Sequence, residues 1–169
     1  MTDAALQHPS VQHVVACLDA ANHPHSVIAL ADTARSAGEA ALALGVPVGA
    51  IVKTLVFMRA SGNQPVVALL AGDRQCDLAV LAKLLGDEAE CTRPRADIVK
   101  ATTGYAIGGV SPIGLPPEIT VLMDQSLFRF DVVWAAAGHP HCVFQSTTGD
   151  LHKLTGATVA DGLSVTPNS

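Results

Sequence analysis

The sequence has no C-x-x-C pair, no excess of basic residues and no uninterrupted apolar run long enough to cross a bilayer. Its four cysteines, Cys17, Cys76, Cys91 and Cys142, are widely separated. They read as reduced core residues, because a tetrahedral zinc site needs clustered ligands. Ten Lys and Arg stand against fifteen Asp and Glu, a net charge of −5. That balance argues against wrapping a long nucleic-acid backbone, DNA included, while leaving room to grip one end of an RNA. Mean hydropathy is +0.37, yet the uncharged stretch 101–117 is interrupted by four glycines and three prolines, which rules out a spanning helix there. The opening residues, MTDAALQHPS, carry an acid and neither the basic nor the apolar segment of a secretory signal. The expectation is a cytoplasmic chain that makes no membrane contact.

What is present fits one domain over residues 1–169. SVQHVVACLDAAN places Val11, Val14, Val15 and Leu18 at helical spacing, with Ser10 as N-cap. SAGEAALALG opens with Ser36 and Glu39 in capping-box register and stops at Gly45. IVKTLVFM and VVALLAG read as two strands joined by the turn RASGN. DLAVLAKLLG predicts a helix from an Asp77 cap to Gly86, and RADIVKA a shorter one. EITVLM, DVVWAAAG and CVFQS read as strands, followed by a helix through GDLHKLTG and a last strand ATVAD. The tail LSVTPNS reads as frayed. Interleaved helices and closely spaced late strands predict an α/β fold with a mixed sheet wrapped by helices. His-Pro-His occurs twice, at 23–25 and 139–141; proline keeps the flanking histidines extended, and the first copy reads as turn chemistry.

The segment GYAIGGVSPIGL, residues 104–115, carries the densest glycine. It has no lysine for a P-loop and no G-x-G-x-x-G spacing. Around Ser111 the spacing misses the nucleophile elbow, and Pro112 lacks the N–H that an oxyanion donor at that place requires. A structural loop and a stiff backbone clamp for a ligand both remain open. In IVKTLVF, alternation puts Lys53 on one face with Ile51, Leu55 and Phe57. It is either an edge-strand lysine snorkelling to water or a cation aimed into a pocket.

Four separated motifs, TARSAGEAALALGVPVGAIVKTLVF, GYAIGGVSPIG, VVWAAAGHPHCVF and LTGATVAD, together resemble the YbaK family, the prolyl-tRNA-synthetase-associated domain, over residues 25–161. The resemblance implies a mixed, barrel-like sheet surrounded by helices. It implies an aminoacyl-tRNA deacylase that hydrolyses a wrong small amino acid from tRNA in trans, with no metal and no organic cofactor. The implied partners are the acceptor end of an aminoacyl-tRNA and an aminoacyl-tRNA synthetase. Lys53 matches the family's principal functional lysine, and the G-x-x-x-P loop, here Gly108, Gly109, Val110, Ser111 and Pro112, lies against the aminoacyl end. Lys53 and Gly108 are the expected catalytic positions, with Thr54, Arg35, His139 and the rest of the loop binding substrate. No Ser-His-Asp or Cys-His set is evident, so the hydroxyl beside the ester on the terminal ribose is expected to assist an attacking water. Members selective for cysteinyl-tRNA carry a serine and a later aspartate where this chain has Ala136 and Val143; alanine, serine or threonine is therefore at least as good an expected substrate as cysteine. Such enzymes exist because one methylene is worth only about 1–3 kcal/mol in a binding pocket.

Overall fold

The computed structural model describes residues 2–31, 34 and 36–167. Helices α1 (Thr2–Leu6) and α2 (Pro9–Ala20) lead into the two-residue strand β1 (Ile28–Ala29), and α3 (Ala37–Leu44) precedes the hairpin of β2 (Val52–Met58) and β3 (Pro65–Ala71). Then come β4 (Gln75–Cys76), α4 (Leu78–Leu85), α5 (Ala96–Thr103), β5 (Thr120–Asp124), β6 (Val132–His139) and β7 (Cys142–Thr147). The chain closes with α6 (Thr148–Thr155), β8 (Thr158–Ala160) and β9 (Ser164–Val165).

Capping chemistry sets several of these boundaries. Ser36 Oγ accepts from the Glu39 N–H (3.1 Å) at the start of α3, and Gly45 ends it in the left-handed region. The Asp77 carboxylate accepts from the Ala79 and Val80 N–H groups, and Gly86 closes α4 in the same way as Gly45. Helix α2 departs from the expected Ser10 cap. It starts at Pro9, a residue suited to the first helical turn, and the His8 side chain accepts from the Ser10 N–H.

The strands form one mixed arrangement in three pieces, ordered β1-β7-β6, β2-β3-β5-β8 and β4-β9. β3, β5 and β8 run parallel, and the β2–β3, β6–β7 and β1–β7 pairs are antiparallel. The first two pieces meet at an isolated parallel bridge between Ile51 and Trp134. The expected mixed α/β class holds, but no pairing among the described residues closes these sheets into a barrel.

One core gathers Val52, Val56, Val67 and Leu69 with α2, Val99, Val110 and the inner side of β6 and β7. A second packs Phe57, Val66, Ala68 and Leu70 against Leu81 and Leu163. Within β2 the alternation is realised, with Phe57 in the second core, Leu55 packed against it, and Val52 and Val56 in the first; Ile51, expected on the Lys53 face, lies before the strand in a third cluster with Ala40 and Val143.

The expected fraying of LSVTPNS does not extend to its first three residues. Leu163 is fully buried and its carbonyl accepts from the Asp77 N–H (2.8 Å). Ser164 pairs with Cys76 and its Oγ donates to the buried Asp124 carboxylate (2.6 Å), which also accepts from Ser126 Oγ. The pairing partner lies eighty-eight residues upstream, so local composition carried no sign of it. Removing the Leu163 side chain should lower unfolding free energy by about 2–5 kcal/mol. Urea denaturation of Leu163→Ala measures this, and an unchanged midpoint would mean that the tail is not part of the core.

Candidate active site

Two pins fix the outer edge of β2. The Ile51–Trp134 bridge holds one end; at the other, Met58 exchanges both backbone hydrogen bonds with Thr92 (2.8 and 2.9 Å). Between the pins the two large sheets diverge and leave a cleft of about 300 Å³. Val52, Lys53, Thr54, Leu55 and Val56 all line it. Consecutive strand residues point to alternate faces, so five in a row can border one cavity only if it lies along the strand's edge. Trp134 and Ala136 of β6 and Val143 of β7 form the opposite wall, α3 contributes Ala37 and Ala40, and Gly108 and Val110 close another side.

Lys53 and Arg93 are the two cations lining the cleft among the described residues. Lys53 Nζ donates to the Arg74 carbonyl (2.7 Å), leaving two of its three N–H donors for other acceptors. Burial pushes the Lys53 pKa below its ordinary 10.5, partly countered by the Asp73 carboxylate nearby. Asp73 in turn receives two hydrogen bonds from the Arg129 guanidinium (2.7 and 3.1 Å), which hold its own pKa down. Arg93 was not anticipated from sequence. Its guanidinium lies 5.3 Å from the Phe57 ring centroid, a cation–π contact that depends on a residue thirty-six positions away.

The loop 108–112 divides into cleft-lining and supporting residues. Gly108 is exposed at φ +89°, a conformation that favours glycine, and Val110 is nearly buried beside it. Gly109 faces away: its N–H is taken by the Ala106 carbonyl (3.0 Å), and a Cβ there would lie 2.8 Å from His139 Cα. Ser111 is fully buried, its Oγ accepting from the Ile113 N–H (3.4 Å), and Pro112 is buried beside it. The buried Tyr105 hydroxyl donates to the Ile113 carbonyl (2.8 Å) and fastens the far end. Of this loop only Gly108 and Val110 line the cleft, and among the described residues no backbone carbonyl accepts from the N–H of either.

Thr54 also lines the cleft, and its Oγ1 is buried without a partner among the described residues. His139 is not one of the lining residues. It sits at the β6–β7 turn behind Gly109, where its Nδ1 accepts from the His141 N–H (3.1 Å). Burial lowers its pKa, and His141 and His8 add to the effect. Ala136 and Val143 are direct cross-strand partners on the cleft wall. Arg35 lies outside the described residues.

Relatives agree with this picture at the level of family. A crystal structure of a candidate trans-editing enzyme for prolyl-tRNA synthetase superposes with a TM-score of 0.83 at 36% identity, covering 91% of this chain and 96% of that one. An Enterococcus faecalis protein named as a candidate Cys-tRNA(Pro)/Cys-tRNA(Cys) deacylase is 32% identical over 130 residues, 71% of this chain and 77% of its own length. The proline–tRNA ligase of Nitratidesulfovibrio vulgaris is 39% identical over 92 residues, which are 54% of this chain and 15% of the ligase. The family model of the aminoacyl-tRNA editing domain matches residues 31–154, and the chain belongs to that family.

Proposed function

We propose that this chain is an aminoacyl-tRNA deacylase that removes a mischarged small amino acid from tRNA in trans. One observation carries the reading: in an editing-domain chain, Lys53, Gly108 and Val110 border the same cleft. The substrate is the ester between an amino acid and the terminal ribose of the acceptor end. Water adds to the ester carbonyl carbon, the bond from that carbon to the ribose oxygen breaks, and of the water's two protons one passes to the ribose oxygen and the other to solvent. The amino acid leaves as the carboxylate.

Each cleft group has a part in that step. Backbone N–H groups at Gly108 and Val110 stabilise the negative charge that develops on the carbonyl oxygen, an effect strongest in a site that excludes water. Lys53 lines the cleft with two of its three N–H donors not taken by the Arg74 carbonyl, and adds a positive charge beside the same oxygen. Arg93 at the exposed rim holds a phosphate of the acceptor end. The ribose hydroxyl next to the ester positions the water. Ala136 and Val143 offer no hydrogen bond to the substrate side chain, so the wall they form fits alanine better than a thiol or hydroxyl.

A panel of tRNAs charged with alanine, serine, threonine or cysteine tests reaction class and selectivity together. Release should be fastest with alanine; failure to release any amino acid would leave a tRNA- or synthetase-binding relative, and release from small esters alone would indicate a different hydrolase. Lys53→Ala should abolish release while leaving the melting transition in place, and wild-type rates in that variant would remove Lys53 from the mechanism. Gly108→Ala should slow release, because alanine is strained at φ +89°.

The depressed Lys53 pKa has a consequence for binding. The charged form binds substrate, so affinity for an amide-linked alanyl-adenosine analogue should fall as pH rises through a midpoint below 10.5. Trp134, the single tryptophan and a cleft residue, reports occupancy by its fluorescence. In Lys53→Ala that limb should be lost, leaving only the fall set by the analogue's own α-amino group at about pH 8.

A further inference from the structure

The edge of β2 that faces the cleft presents unpaired backbone groups, and their identity follows from parity. Successive residues of a strand direct their N–H and C=O groups to opposite sides. Arg59 N–H donates inward to the Gln64 carbonyl of the hairpin (2.8 Å), whereas Met58 directs both its groups outward to Thr92. The β2–β3 register runs from Val52 to Met58 without a bulge. Phe57, Leu55 and Lys53 therefore pair with β3, and Val56 and Thr54 turn their N–H and C=O groups toward the cleft. Among the described residues, no hydrogen bond reaches either pair from that side.

Thr54 stands apart from Val56 on a second ground. Its Oγ1 is buried and unpartnered in a wall otherwise made by Val52, Val56, Val99 and Val110. Leaving such a hydroxyl unsatisfied costs about 1–3 kcal/mol; because it is buried, the groups that Thr54 offers a ligand are its backbone N–H and C=O. The outer edge from Ile51 to Met58 measures about 23 Å at strand rise, but a cleft of about 300 Å³ has room for a single residue and its ribose, not for a peptide strand.

Resting on the deacylase reading, we infer that the aminoacyl group docks on Thr54 as a one-residue strand. The Thr54 N–H donates to the ester carbonyl, and the Thr54 C=O accepts from the α-ammonium group. This is β-strand addition reduced to one residue. It has two effects. The N–H joins Gly108 and Val110 in polarising the carbonyl, and the carbonyl selects esters whose amino group is free and charged. Aminoacyl esters are the substrate class; N-acylated and peptidyl esters are excluded, because acylation removes the charge that strengthens the bond to the carbonyl.

The test uses the full chain, labelled for amide-resolved NMR, with the amide-linked alanyl-adenosine analogue and its N-acetyl form. The free-amine analogue should shift the Thr54 amide resonance and slow its hydrogen exchange, and the N-acetyl form should bind about 10- to 100-fold more weakly, the worth of a charged hydrogen bond. N-acetyl-alanyl-tRNA should likewise be deacylated more slowly than alanyl-tRNA by a similar factor. Equal binding of the two analogues overturns the inference. So does a Trp134 fluorescence change that leaves the Thr54 amide untouched, and in both cases the deacylase reading survives. If neither analogue changes Trp134 fluorescence and no charged tRNA is deacylated, the deacylase reading fails and this inference falls with it.

Discussion

The cleft exists because two sheets are joined at one bridge and then separate. Ile51 pairs with Trp134, Met58 pairs with Thr92, and among the described residues no hydrogen bond covers the outer edge at Thr54 and Val56 between them. A continuous ladder from β2 to β6 would satisfy those backbone groups and leave no space. Unpaired polar backbone is costly when buried, so an edge left open inside a fold needs either water or a ligand to complete it. Everything placed around the edge, the Lys53 ammonium, the Gly108 turn and the Arg93 guanidinium, is positioned relative to that gap.

Support for the gap comes from opposite directions. The hairpin of β2 and β3 fixes the strand from one side, burying Val66 to Ala71 completely. The loop of residues 108–112 is fixed from the other, through the close approach of Gly109 to the His139 backbone and the hydrogen bond between Tyr105 and Ile113. Division of labour within the loop follows from this: the residues that hold it cannot also serve the substrate. The proposed substrate suits a small acidic chain, since the two cations lining the cleft among the described residues would face one ester and its flanking phosphates and not a long backbone.

Much of the frame was legible in the residues. Alternation in IVKTLVF separated the Lys53 face from the Val52 and Val56 face, and caps at Ser36 and Asp77 with glycines at 45 and 86 marked α3 and α4. The four spaced motifs gave the family. Other features depend on contacts far apart in sequence and left no local trace. The pairing of Ser164 with Cys76, the placing of Arg93 over Phe57 and the pin between Met58 and Thr92 are of this kind. The loop illustrates the boundary well: its glycines and prolines told of a stiff turn, but only the packing distinguishes Gly108, which faces the cleft, from Gly109, which faces His139.

The central claim is that the ester is bound and cleaved in the gap between β2 and β6. A crystal structure of the chain with a non-hydrolysable aminoacyl-adenosine analogue tests it most directly. The account predicts the aminoacyl group between Lys53 and Gly108, alongside the outer edge of β2. Ligand density instead in the groove at the ends of β5 and β8, lined by Arg74, Ser126 and Arg129, with the β2 cleft empty, would contradict it.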